Sequence, residues 1–190
     1  MRFVEDFFSP SQASDWFQRL EFADWFLWQR ETYPIYGRRV EAPRSIAWFG
    51  DANLNYRYTG IDHTTEGWPE PLRGLRRDVE SAVGQRFNFL LMTRYANGAE
   101  HMGWHRDDEK GCSALVSALS LGAPRRFCVE HDAMADDVKH QPLGASRSRT
   151  TFELGEGSLL LFDGRQRHCL RPTKKLCAQR INLTFRQIAA

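Results

Sequence analysis

Cysteine and lysine are scarce in this chain, and it has no long apolar run and no internal repeat. The 4 cysteines, at positions 112, 128, 169 and 177, form no CxxC pair. That argues against a zinc finger or a disulfide scaffold and for reduced, small apolar fillers. No stretch approaches the ~18 consecutive apolar residues of a membrane helix. The opening "MRFVEDFFSP" carries acids where a secretory segment would be apolar, so a cytoplasmic protein with no membrane partner is expected. No linker or low-complexity tract divides the 190 residues, so one domain with a sizeable core is expected. No heptad calls for a partner copy, and a monomer is expected.

Lysine supplies only 4 of the 26 basic residues and arginine the other 22. Arginine grips phosphate and carboxylate in a planar fork and stacks on flat rings. The net charge of +2 hides an asymmetry: residues 1–33 hold 6 acids and 3 bases, residues 139–190 hold 10 bases and 3 acids. A basic C-terminal part suits an anionic partner such as nucleic acid. A codon bias toward arginine would produce the same composition.

What is present is patterned. "SPSQASDWFQRLEFADWFLWQRE" (9–31) opens on Ser-Pro and predicts a helix over part of its length. "WPEPLRGLRRDVESAVGQ" (68–85) spaces Leu72, Leu75, Val79 and Val83 at helical intervals. Between them, "YPIYGRRVEAPRS" reads as a hairpin or loop, and "IAWFGDANLNYRYTG" as strand, turn and strand. From residue 86 onward, short strands alternate with turns: "FNFLLMTRY", "CSALVSALSLG", "RRFCVEH", "RTTFELGEGSLLLFDG", "HCLRP", "QRINLTFRQI". A β-sandwich or barrel is expected. The longest irregular piece, 132–148, reads as a surface loop.

"HMGWHRDDE" (101–109) does not read as packing. In a strand, residues i and i+2 share a face, so His105 and Asp107 would point together. Such a pair can bind a metal, relay a proton or form a salt bridge. His168, 61 residues after Asp107, is a possible third ligand. Two histidines and a carboxylate make the facial triad of non-haem Fe(II) oxygenases, with open positions for a cosubstrate and O2. A surface or capping histidine is the alternative for His105 and the first reading for His63, His101, His131 and His140. In the tail, Ile181, Leu183 and Phe185 alternate with Arg180, Asn182, Thr184 and Arg186. Two arginines and a threonine on one face suit a small dicarboxylate, because an Arg–carboxylate pair is strong and directional. A solvated edge strand is the alternative. Fe(II) on His105, Asp107 and His168, with 2-oxoglutarate on Arg180 and Arg186, accounts for both patterns together.

These residues resemble the AlkB family of Fe(II)/2-oxoglutarate-dependent nucleic-acid dealkylases. The resemblance lies in "NFLLMTRYANGAEHMGWHRDDE", "SLGAPRRF", "LGEGSLLLFDG" and "QRINLTFR", and more weakly in "YGRRVEAPRSIAWFGD" and "YRYTG". It covers roughly residues 33–188. It implies a mainly β fold with flanking helices (α+β), a double-stranded β-helix or jelly roll, with an N-terminal nucleotide-recognition lid. Residues 1–86 would supply helices and lid, and 87–190 the catalytic core. By the same resemblance His105, Asp107 and His168 are the iron ligands, and Tyr95, Arg180, Thr184 and Arg186 contact 2-oxoglutarate. Tyr58 would stack on a flipped base, Tyr36 would wedge into the duplex, and Asp108 and Glu109 would lie near the base edge. Thr93 stands where the family carries Asn, so its hydroxyl would make that contact with shorter reach. The segment before His168 is short, and "RQR" replaces the usual aromatic.

The implied reaction is oxidative demethylation of 1-methyladenine- or 3-methylcytosine-type lesions in alkylated DNA, or else RNA. Fe(II), 2-oxoglutarate and O2 would be consumed or used, with succinate, CO2 and formaldehyde released. A base must leave the stack to reach the metal. Arg38, Arg39, Arg44, Lys174 and Lys175 are candidate phosphate contacts. Two other readings stand beside this one: an oxygenase acting on a protein or small molecule, and a non-catalytic nucleic-acid-binding jelly roll.

Overall fold

The structure, a computed structural model, describes residues 1–35, 37–58, 60–131 and 148–189. Tyr36 and nearly all of the 132–148 segment lie outside the described residues, as does the side chain of Tyr58.

In chain order the elements are β1 (Arg2–Val4), α1 (Pro10–Glu21), β2 (Thr32–Ile35), β3 (Arg38–Glu41), β4 (Ser45–Gly50), β5 (Asn55–Tyr58), β6 (Ile61–Thr64) and α2 (Glu70–Val83). Then follow β7 (Phe89–Tyr95), β8 (Met102–His105), β9 (Leu115–Gly122), β10 (Arg125–Glu130), β11 (Arg149–Leu154), β12 (Leu159–Asp163), β13 (His168–Leu170) and β14 (Arg180–Arg186). A 6-stranded antiparallel sheet runs β1-β12-β9-β14-β7-β4, and a 4-stranded one runs β11-β10-β13-β8. Both sheets contribute to one cavity between them. This is the jelly-roll core with flanking helices that the family resemblance implies, and it is consistent with the sandwich or barrel that the strand pattern predicts. Two hairpins, β2–β3 and β5–β6, stand apart from it.

The helices form where the spacing predicts. Ser9 caps α1 through a capping box with Gln12, and Pro10 opens its first turn, satisfying backbone N–H groups that have no partner inside the helix. Leu72, Leu75 and Val79 of α2 are fully buried. The helix stops at Gly84, whose φ of 69° suits a residue without Cβ. Glu80 of α2 is buried, and its carboxylate accepts from Phe87 N–H, Arg76 and Arg86. Both helices pack on the outer face of the large sheet against Leu90, Met92, Leu119, Ile181, Leu183 and Phe185.

The N-terminal part also contributes to the large sheet, since β1 and β4 form its two edges. Neither β1 nor β6 has a distinct signal in the sequence, since each is 3 or 4 residues long. His63 departs from the expected surface position. It is only 1% exposed, packed edge-on against Trp48, with its Nε2 3.0 Å from Glu31. No helix among the described residues is long and apolar enough to cross a membrane.

Candidate active site

Register builds the site. β14 pairs with β7 so that Arg180 faces Tyr95 and Asn182 faces Thr93. It pairs with β9 so that Asn182 also faces Ser120. Because side chains alternate, Leu183 and Phe185 enter the helix-side core, while Arg180, Asn182, Thr184 and Arg186 line the cavity with Thr93 and Tyr95. The tail strand is therefore central, and its polar face is enclosed.

The facing sheet supplies the histidines. β13 pairs with β8, placing His168 directly opposite His105 with ring centroids 4.2 Å apart. Asp107 follows on the chain, held by its N–H to Gly164 O at 2.8 Å. Any Cβ on Gly164 would meet Val116 Cγ2 at 2.7 Å and Asp107 Cβ at 3.0 Å, so the "FDG" turn needs glycine there. Asp107 Oδ1 lies 3.6 Å from His105 Nε2 and 3.9 Å from His168 Nε2. One ligand atom from each of the three residues lies within 4.8 Å of the others.

The donor set fits a divalent metal. His105 Nδ1 is 2.9 Å from Gly103 O, and His168 Nδ1 is 2.8 Å from Gln166 O. A carbonyl only accepts, so each Nδ1 carries the proton and each Nε2 lone pair is left for a metal. Burial pushes His168 down to about 4, which keeps the imidazole neutral at pH 7. Asp107 is 1% exposed, yet its Oδ1 has no hydrogen-bond partner among the described residues. A buried acceptor left unmet is costly, and a cation between two imidazoles would meet it. Burial raises the Asp107 pKa, but the Arg186 guanidinium, His168 and His105 outweigh it and hold the carboxyl below its usual range.

The cationic end of the cavity is equally specific. Arg180 is 1% exposed and donates to Ser120 Oγ at 2.6 Å and Leu154 O at 3.0 Å. It has no acidic partner among the described residues. Burial lowers it to about 10, so it stays charged. A buried guanidinium without a carboxylate is costly unless a ligand supplies one, and a dicarboxylate does. Arg186, expected on the cosubstrate, turns its Nη2 and Nε onto Asp107 Oδ2 at 2.6 and 3.2 Å.

The remaining expected residues are dispersed. Asp108 is exposed, and Glu109 accepts from the Tyr56 hydroxyl at 2.7 Å. Tyr58 ends β5 opposite Ile61. Arg38, Arg39, Lys174 and Lys175 are exposed. Arg44, expected on the surface as a phosphate contact, is 5% exposed and lines the cavity. Sequence reasoning assigned no role to Tyr56, Ser120 or Asn182. Only Asn182 had a readable signal, its place in the 180/182/184/186 alternation.

A family description, the 2OG-Fe(II) oxygenase superfamily, matches residues 1–186. The chain belongs to that superfamily. Within it the chain is an AlkB-family member. It is 32% identical over 188 residues to the human DNA oxidative demethylase ALKBH2, covering 95% of this chain and 70% of that protein. With the mouse DNA oxidative demethylase ALKBH2 the identity is 33% over 193 residues, covering 95% and 77%. With the human alpha-ketoglutarate-dependent dioxygenase alkB homolog 3 it is 28% over 187 residues, covering 87% and 62%. The crystal structure of a 2OG-Fe(II) oxygenase family oxidoreductase from Burkholderia pseudomallei superposes with a TM-score of 0.59 at 15% identity, covering 95% of this chain and 80% of that one, which shows a shared fold. This AlkB-family protein is an oxidoreductase that uses Fe(II), 2-oxoglutarate and O2.

Proposed function

We propose that this AlkB-family oxygenase removes methyl groups from ring nitrogens of bases in DNA, lesions of the 1-methyladenine and 3-methylcytosine type, by direct reversal. The observation that carries the reading is the extent of the likeness to DNA oxidative demethylases. It spans 95% of the chain, so it includes the two hairpins as well as the metal site. An oxygenase sharing only the iron core would match only the two sheets.

Iron held by His105, Asp107 and His168 supplies, when bound, the activation of O2 that an unactivated methyl C–H requires. The chain's own residues do the rest. Arg180 takes the distal carboxylate of 2-oxoglutarate, and Tyr95, Thr93, Asn182 and Thr184 line its path with hydroxyl and amide groups. Arg186 holds Asp107 Oδ2, so that Oδ1 faces the histidines. Tyr56 fixes Glu109, and with Asp108 this places two carboxylates beside the metal ligand, favouring a base made cationic by alkylation. Tyr58 would stack on the extruded base and Tyr36 would fill the space it leaves. Arg38, Arg39, Lys174 and Lys175 would contact phosphates.

The test is a sample loaded anaerobically with Fe(II), then given O2, 2-oxoglutarate and a DNA oligonucleotide carrying 1-methyladenine or 3-methylcytosine. Loss of the methyl group is read by mass spectrometry, with Asp107→Ala alongside. Demethylation that disappears in the variant is expected. Succinate formed with every methyl group retained would overturn the substrate assignment.

A further inference from the structure

Arg167, in the segment "RQR" before His168, meets an aromatic side chain of β8. Trp104 immediately precedes His105, and alternation turns it away from the cavity, which it does not line. Its indole carries two guanidiniums: Arg149 lies 5.1 Å and Arg167 5.4 Å from the ring centroid. Both are within the ~6 Å at which a cation is attracted to a ring face. Both are also tied to one carboxylate. Glu130, 3% exposed, accepts from Arg149 at 2.8 and 3.0 Å and from Arg167 at 3.0 Å. Glu130 thus sets the two arginines in place at the cost of one negative charge, leaving a net positive surface. The side chains of Arg149 and Arg167 remain 48% and 40% exposed. The neighbouring Arg165 is 63% exposed.

We propose that Trp104, Arg149 and Arg167 form a contact surface for a single nucleic-acid strand next to the active site. The guanidiniums take phosphates of the strand, and the indole they lie over holds them in place. Pre-set arginines beside an aromatic ring, outside a metal site and with no role in holding the metal, match the combination that binds single strands without reading sequence. The assignment rests on the demethylase reading above and extends it by naming where the strand beyond the target nucleotide lies.

The test uses the full chain without iron or 2-oxoglutarate, titrated into a labelled, unmodified single-stranded oligonucleotide, with affinity read by anisotropy at several salt concentrations. Trp104→Leu, which removes the ring that holds both guanidiniums, is expected to weaken binding about two- to five-fold, and Trp104→Phe to restore most of it. Arg167→Gln is expected to weaken binding and lower the salt slope by about 1. Turnover of 2-oxoglutarate without nucleic acid is expected to stay unchanged in all three, which shows an intact site. Unchanged affinity in Trp104→Leu and Arg167→Gln would overturn the proposal. So would a Trp104→Phe variant as weak as Trp104→Leu, or polyglutamate competing as well as the oligonucleotide. Demethylation is read separately, so its failure would be distinguishable from failure of this surface.

Discussion

Asp107 and Arg186, 79 positions apart in the chain, are joined inside the core by a 2.6 Å contact from Nη2 to Oδ2. The guanidinium takes one carboxylate oxygen and leaves the other to the histidines. One residue of β14 thus orients a metal ligand on the segment after β8. Partners of this kind, behind a ligand, typically change metal affinity 10–100-fold when removed, as an order of magnitude.

Replacing Arg186 with Gln is therefore expected to weaken Fe(II) binding by about 10-fold or more. Titration with Co(II) as an O2-stable substitute reads this directly. Affinity equal to the parent protein would mean that Asp107 needs no help in facing the metal.

Arg180→Met is expected to raise the KM for 2-oxoglutarate by about 10-fold or more, since a hydrogen bond to a charged group contributes roughly 1.5–3 kcal/mol. Ser120→Ala, which removes only the 2.6 Å partner of Arg180, is expected to do the same to a smaller degree. Steady-state kinetics over a range of 2-oxoglutarate settles it. An unchanged KM in Arg180→Met would place the distal carboxylate elsewhere.

Gly164→Ala forces a methyl group into contacts of 2.7 Å with Val116 and 3.0 Å with Asp107. Overpacking of this kind costs about 1–3 kcal/mol, and here it also displaces a ligand. Both the unfolding midpoint and Fe(II) affinity are expected to fall. A variant with a lower midpoint and full metal affinity would show that Asp107 does not move with the turn.

Glu80 links α2 to the start of β7 and provides a pH test away from the metal. Burial raises its pKa, but the Phe87 N–H, Arg76 and Arg86 outweigh this and hold it below the usual glutamate range. With the folded-state pKa depressed, its stabilisation is present above about 4.5 and lost as pH falls through the folded value. Glu80→Gln is expected to be less stable by about 1–3 kcal/mol near pH 7. Urea unfolding at a series of pH values is expected to show that gap closing in acid. A gap independent of pH would mean that packing, not charge, is what the carboxylate contributes.

The sequence by itself determined the faces of the elements. Leu72, Leu75 and Val79 carry a helical period, and 180–186 a strand period, and both appear in the structure as read, because periodicity is a local property of the backbone. His105 and Asp107 were singled out for the same reason. Which distant groups meet those faces was decided only by tertiary structure. Arg186 turns to Asp107, Tyr56 to Glu109, Arg44 into the cavity and His63 to Glu31, each through contacts between residues far apart in the chain. Cross-strand register and packing choose such partners, and a pattern of short-range spacing carries no record of that choice.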